Sequence, residues 1–133
     1  MKLFVLPLLL ILAACGRDES LYSYGGAGGV WQVQTINEAS FNSRAQIVFE
    51  AQGVVTGAGP CNAFRARNTV PYPWVSIGPI AATKRACPDL AQETEFFSVL
   101  ERVTIGIIRD EVLTLSNDNG DEMRLIRTPA TDG

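Results

Sequence analysis

Apolar and polar residues alternate in several short runs, and this pattern predicts a chain that forms mostly β-sheet. VWQVQTI (30–36) alternates along its length, and AQIVFEA (45–51) is joined to GVVTGAG (53–59) through Gln52 and Gly53. Period-two runs bounded by glycine and other turn residues are typical of strands and tight turns. We therefore predict a first strand followed by a β-hairpin.

The second half of the chain continues the strand pattern. WVSIGPI (74–80) follows a proline-rich loop and is a further strand candidate. Three more runs are separated by short turns rich in Asp and Asn, namely TIGIIRD (104–110), VLTLSN (112–117) and EMRLIR (122–127). Three strands joined by tight turns form an antiparallel meander.

One segment, CPDLAQETEFFSVLERV, has helical periodicity instead. Its apolar residues recur close to every 3.6 positions, at Leu90, Phe96, Phe97, Leu100 and Val103. Asp89 and Gln92 have the spacing of a capping box, so we predict a helix over 89–103 whose apolar stripe packs on the sheet. The predicted fold class is mainly β (α+β), a small antiparallel β-barrel-like or strongly curled sheet with one amphipathic helix packed on it.

The N-terminus has the pattern of an export signal. Lys2 precedes twelve apolar residues, which are too few to span a bilayer, since a spanning helix needs roughly 20. The ending Leu-Ala-Ala-Cys at residues 12–15 resembles a bacterial lipobox, which predicts a signal peptide over 1–14 and lipidation of Cys15. The predicted partner is therefore a membrane, through a lipid anchor. Gly16, where aspartate would resemble an inner-membrane retention signal, favours the outer membrane, with the protein facing the periplasm.

The rest of the chain divides into a tether, a domain and a tail. Residues 15–29 are first charged and then glycine-rich, so we predict a flexible tether behind the lipid. Residues 30–128 form one predicted domain, and 129–133 a short tail. Removing residues 1–14 leaves 10 basic and 14 acidic side chains, a formal charge of −4, which does not favour nucleic acid as a partner.

The residue types in the chain limit its chemistry. Histidine is absent, which excludes Ser-His-Asp and Cys-His catalytic arrangements and removes the commonest zinc ligand. The helix acids Glu93, Glu95 and Glu101 are each expected on a solvated face. We therefore predict no catalytic residue, no metal site and no cofactor, and a protein that is not an enzyme.

Cys61 and Cys87 are the two cysteines that remain after Cys15 is lipidated. In the oxidising periplasm two cysteines tend to pair, and this favours a disulfide between them. The alternative is a redox-active pair, because Cys87 precedes the predicted helix and follows Lys84 and Arg85, and such positions lower a thiol pKa.

The segment GAGPCNAF (57–64) supports a structural or binding interpretation of the corner around Cys61. Gly57 and Gly59 permit a bend or bulge, and the Asn62 amide can satisfy backbone groups. The segment is similar to a G-x-x-G-C-N-x-[FY] corner, which includes Phe64.

Other segments match the same family in order. Residues 77–87 are similar to a strand motif that contains Thr83 and Cys87, Trp31 opens the first strand, and the helix and terminal hairpin agree. Over about residues 28–128 the chain resembles the META-domain, HslJ-like family of heat-shock and envelope lipoproteins. Pro60 and Ala63 depart from the family pattern. The resemblance implies a small barrel-like fold with one helix, an envelope location and a stress-related role, with no established reaction.

These observations favour a non-catalytic envelope lipoprotein that binds an unknown envelope protein or small ligand, or supports the envelope under stress. Two alternatives stay open. One is a small-ligand carrier with a lipocalin-like interior, and the other is a thiol-disulfide redox protein that uses Cys61 and Cys87.

Overall fold

The structure is a computed structural model that describes residues 17–129. The signal peptide predicted for 1–14 and the predicted lipidation site Cys15 lie outside the described residues. In this part of the chain one helix, α1 (Leu90–Arg102), accompanies nine strands: β1 (Val30–Ile36), β2 (Ala39–Ser40), β3 (Gln46–Phe49), β4 (Val54–Ala58), β5 (Ala63–Arg67), β6 (Ala81–Ala82), β7 (Ile105–Arg109), β8 (Val112–Ser116) and β9 (Glu122–Thr128). Within residues 17–129 there is no helix with the length and apolar character that a bilayer crossing requires.

The strands form one antiparallel sheet in the order β6-β5-β4-β3-β1-β9-β8-β7, with β2 paired to β1. The sheet is not closed, and one helix accompanies it, so the predicted class of a curled sheet with one helix is confirmed. The hairpin predicted through Gln52 and Gly53 is present, and both residues have positive φ.

Residues 74–80 do not form the predicted strand. The segment crosses the gap between the two sheet edges, so its backbone groups bond to different strands. The Val75 N–H donates to the Thr104 carbonyl beside β7, whereas the Gly78 N–H donates to the Arg67 carbonyl on β5. Val75 and Ile77 are buried, which explains the alternation without a continuous strand ladder.

The core lies between the helix and the concave side of the sheet. Phe96, Val99 and Leu100 on α1 are almost completely buried, as are Trp31 on β1 and Leu125 on β9. The helix stripe therefore packs as predicted except at Leu90, which is 42% exposed. The helix bounds lie within one residue of the predicted bounds at each end. The predicted capping box is wrong, because the Asp89 carboxylate accepts the Ser43 hydroxyl instead of a helix N–H group.

The folded unit begins before the predicted domain boundary. The composition of residues 15–29 predicts a flexible tether, but Leu21 is completely buried and starts a 3₁₀ turn, Leu21–Tyr24. Arg127 on β9 donates to backbone carbonyls of Gly25, Ala27 and Gly28. The glycine-rich segment is therefore held against the sheet by contacts roughly 100 positions away in the chain.

Candidate functional site

The predicted corner lies where the β4–β5 turn meets the first turn of α1. A disulfide joins Cys61 in the turn to Cys87 before the helix, with 5.6 Å between the two Cα atoms. This separation lies in the usual range for disulfides. The crosslink predicted between these two cysteines is present in the structure.

Glu93 on α1 is the acceptor around which the corner is built. Its Oε2 accepts the backbone N–H groups of Cys61 and Asn62, each at 2.7 Å, and its Oε1 accepts the Asn62 side-chain amide at 2.5 Å. Glu93 is only 3% exposed, which contradicts its predicted place on a solvated face. A buried carboxylate is tolerated where hydrogen bonds replace its water, and three do so here.

Asn62 uses its whole side chain inside the corner. Besides its bond to Glu93, the amide nitrogen donates to the Arg85 carbonyl at 3.0 Å. The amide oxygen accepts the Thr83 hydroxyl at 2.9 Å and the Arg85 N–H at 2.6 Å. Two donors and two acceptor positions are the full capacity of an asparagine amide. Asn62 therefore has no hydrogen-bonding capacity left for a ligand.

The remaining predicted corner residues have steric roles. A Cβ added to Gly59 would lie 2.7 Å from Glu93 Oε2, and one added to Gly57 would overlap the Gln46 carbonyl. Phe64 is buried and packs edge-on against Phe97 at 5.4 Å between ring centroids. The structure thus brings all of the predicted corner residues together, and each has an internal contact that explains it.

The two cysteines of the disulfide have different charged surroundings. A reactive thiol needs a cation or helix N-terminus to stabilise its thiolate. Here the carboxylate of Glu93 lies against the Cys61 backbone, and the side chains of Lys84 and Arg85 are exposed to solvent. The helix itself begins three residues after Cys87. An anionic side chain rather than a cation therefore hydrogen-bonds to Cys61.

A second polar cluster stands at the opposite end of α1. Asp121 accepts two bonds from the Arg102 guanidinium at 2.9 and 3.1 Å, and also accepts Asn117 and Asn37 side-chain amides. These bonds, that of Arg102 first and that of Asn117 next, hold the pKa of Asp121 far below its usual range. The cluster connects the helix end to two turns, and its position indicates a structural role.

Two clefts formed by residues within 17–129 are open to solvent. One cleft of about 390 Å³ adjoins the corner. Its lining comprises Gln32, Val33, Ser43, Arg44, Ala45, Gln46, Ala58, Gly59 and Pro60. Another of about 520 Å³ lies over β7, β8 and β9. The interior between sheet and helix is occupied by large side chains such as Trp31 and Phe96, both with no exposed surface.

In residues 17–129, no group of three or more His, Cys, Asp or Glu side chains is placed to hold a metal ion.

Glu93 is the residue that sequence reasoning missed. It precedes Phe96 and Leu100 by three and seven positions, so it lies on the apolar stripe of α1. An acid on such a stripe has a buried partner or remains unsatisfied. The spacing of Glu93 from Phe96 and Leu100 is therefore the sequence signal that identifies it as a buried acid.

Fold and corner together define a small α+β domain with an open curled sheet and a disulfide-linked helix start. The META domain family model matches residues 26–130, so the chain belongs to the META domain family, as the resemblance predicted. A comparison with curated proteins found no match.

Solved structures share the fold at low sequence identity. A DUF4847 family protein from Bacteroides vulgatus superposes with a TM-score of 0.67 at 13% identity, covering 82% of this chain and 99% of its own. A protein from Burkholderia xenovorans, solved by NMR, gives 0.63 at 16% identity, with 80% and 86% covered. Another NMR structure gives 0.61 at 15% identity, with 79% and 93% covered.

Proposed function

We propose that this chain is an envelope lipoprotein, anchored by a lipid on Cys15, whose META domain faces the periplasm and acts by binding rather than by catalysis. The observation that carries the proposal is the corner at Cys61, Asn62 and Glu93. Its sulfur atoms are crosslinked, and its polar groups bond to one another. A domain built around a disulfide suits an oxidising compartment, which agrees with the lipobox at residues 12–15.

A non-catalytic role is supported by the absence of histidine and by the internal use of the corner residues. Membership of the META domain family is consistent with this role. A stress-related function at the outer membrane is the role that the family resemblance implies. The partner in this role is an envelope protein or small ligand bound on the surface, since large side chains fill the core.

Lipidation is tested by metabolic labelling with a fatty acid in a bacterial host, followed by membrane fractionation. We expect label and outer-membrane recovery for the natural sequence and loss of both for Cys15→Ser. Gly16→Asp is the matched control, which should stay labelled and move to the inner membrane. Label that persists in Cys15→Ser would contradict the anchor.

Binding is tested by recovering the lipidated protein and Cys15→Ser from envelope fractions after crosslinking. We expect a defined envelope component that co-purifies with the lipidated form and is depleted from Cys15→Ser. Equal, unselective recovery from both forms would contradict a specific envelope partner.

A further inference from the structure

Exposed aromatic side chains concentrate at one edge of the described structure. Trp74 is 56% exposed and Tyr24 is 54% exposed, although aromatic side chains of this size are usually well buried. Tyr24 stacks on Tyr72 with 5.0 Å between ring centroids and an interplanar angle of 4°. We refer to Tyr24, Tyr72 and Trp74 as the β7-edge aromatic patch.

All three residues adjoin strand β7, at the open edge of the sheet. Trp74 forms a bridge with Ile105, and the Ile108 N–H donates to the Tyr72 hydroxyl at 3.4 Å. Tyr24 joins this edge through its stacking on Tyr72, and a Cβ placed on the neighbouring Gly25 would lie 3.5 Å from the Ile108 side chain. The patch therefore extends along one strand edge.

The patch lies close to the point where the lipid would be attached. The Tyr72 N–H donates to the Glu19 carbonyl at 2.7 Å, which places the start of the described chain against the patch. Cys15 precedes Glu19 by four residues, so even fully extended chain keeps their Cα atoms within about 14 Å. Ser20 and Leu21 are buried in the fold. The linker between Cys15 and the domain therefore cannot become longer unless these residues unpack.

We propose that the β7-edge aromatic patch rests in the headgroup region of the bilayer that holds the lipid of Cys15. The inference rests on the proposed anchor. Tyr and Trp are enriched at membrane interfaces, where an apolar ring and a polar tip are both satisfied. The formal charge of −4 after residue 14 gives no general attraction to anionic lipid, so ring insertion rather than charge holds the patch there.

The contact orients the domain. Arg102, the last residue of α1, lies three positions before Ile105, which pairs with Trp74 of the patch. The 13-residue helix places Leu90 about 20 Å from Arg102, so we expect the helix start and the disulfide corner to face away from a bilayer at the β7 edge. The cleft beside the corner is then presented to the periplasm.

The test uses the chain from Cys15 onwards, oxidised and without acylation, so that Cys15 is its only free thiol. Coupling that thiol to a maleimide lipid in phosphatidylethanolamine vesicles reproduces the attachment without relying on cellular lipidation. Brominated acyl chains in the vesicles then quench any tryptophan at the interface. Trp31 is completely buried and gives a constant background.

We expect strong loss of Trp74 emission on coupling and no such loss in Trp74→Phe. The matched control carries Trp74→Phe with Leu90→Trp, which moves the reporter to an exposed apolar position at the far end of α1. That reporter should remain unquenched. Unquenched Trp74, or equal quenching at both positions, overturns the proposal. Either result leaves the fatty-acid labelling of Cys15 unaffected, so failure of the patch is distinguishable from failure of the anchor.

Discussion

The side-chain amide of Asn62 donates to the carboxylate of Glu93 at 2.5 Å, and the two residues are 31 positions apart in the chain. This contact connects the β4–β5 turn to α1 and is buried. The sequence motif suggests Asn62 as a binding residue. Its side chain is instead fully engaged in holding the helix to the sheet. Substitution of the residues that make these hydrogen bonds should therefore lower the free energy of unfolding.

Replacing Glu93 with glutamine should destabilise the protein. The substitution removes a carboxylate that accepts three bonds and turns one amide N–H₂ towards other donors. We expect the free energy of unfolding in urea to fall by about 1.5–3 kcal/mol, the range for hydrogen bonds to a charged group. Glu95→Gln, at an exposed position on the same helix, should change it by less than about 0.5 kcal/mol. Equal effects would contradict a structural role for Glu93.

Gly59→Ala should destabilise through the same carboxylate. The new Cβ would stand 2.7 Å from Glu93 Oε2, which is held in place by its donors. We expect a loss of about 1–3 kcal/mol in urea unfolding, typical of overpacking. In a Glu93→Ala background the clash is absent, so most of this cost should disappear. A cost that is the same in both backgrounds would assign the effect to the backbone instead.

Leu21→Ala should cost about 2–5 kcal/mol in unfolding free energy, because Leu21 is completely buried. Ser23→Ala, at an exposed position in the same 3₁₀ turn, is the control and should be nearly neutral. If Leu21→Ala were equally neutral, residues 20–29 would behave as the free tether that their composition suggests.

Composition and alternation predicted much of the fold, and particular residues explain the rest. The alternation of 30–36 matches β1 because one face of that strand, including Trp31 and Val33, is buried. Val75 and Ile77 alternate for the same reason, yet their segment bonds to two different strands, and alternation carries no information about hydrogen-bond partners. Likewise, Gly25 and Gly28 look flexible locally, yet the distant Arg127 donates to the carbonyls of both and helps to hold them in place.

The sequence motifs predicted most residues of the corner, but they did not predict Glu93, which accepts hydrogen bonds from Cys61 and Asn62. The spacing of Cys61, Asn62 and Thr83 in the motifs marked one side of the corner. Glu93 comes from the helix, and its contact with Asn62 exists only after the sheet and helix have packed.

The Asp121 cluster should give the stability a defined dependence on pH. Arg102 and then Asn117 lower the pKa of Asp121 below its unfolded value of 3.8. The folded state is therefore favoured above that value, and this contribution is lost as the pH falls towards the folded pKa. Thermal unfolding of Asp121→Asn should show a deficit at about pH 6 that shrinks below about pH 4. A deficit independent of pH would contradict the assignment.

Removing the disulfide should weaken the fold while leaving its topology intact. The crosslink spans 26 positions, which corresponds to about 3.5 kcal/mol in the chain-entropy treatment. We expect Cys61→Ala with Cys87→Ala to lower the unfolding free energy by about that amount, with an unchanged far-ultraviolet circular dichroism spectrum. No change in stability would argue that the crosslink does not constrain the domain.

The most direct measurement is a thiol titration of exported Cys15→Ser protein, in which Cys61 and Cys87 are the only cysteines. If these sulfurs form a permanent crosslink within the folded corner, the native protein has no titratable thiol and stays oxidised in mild reductant. Both thiols should then react only after denaturation with strong reductant. Free thiols in the native protein, or ready reduction with the fold intact, would contradict the account.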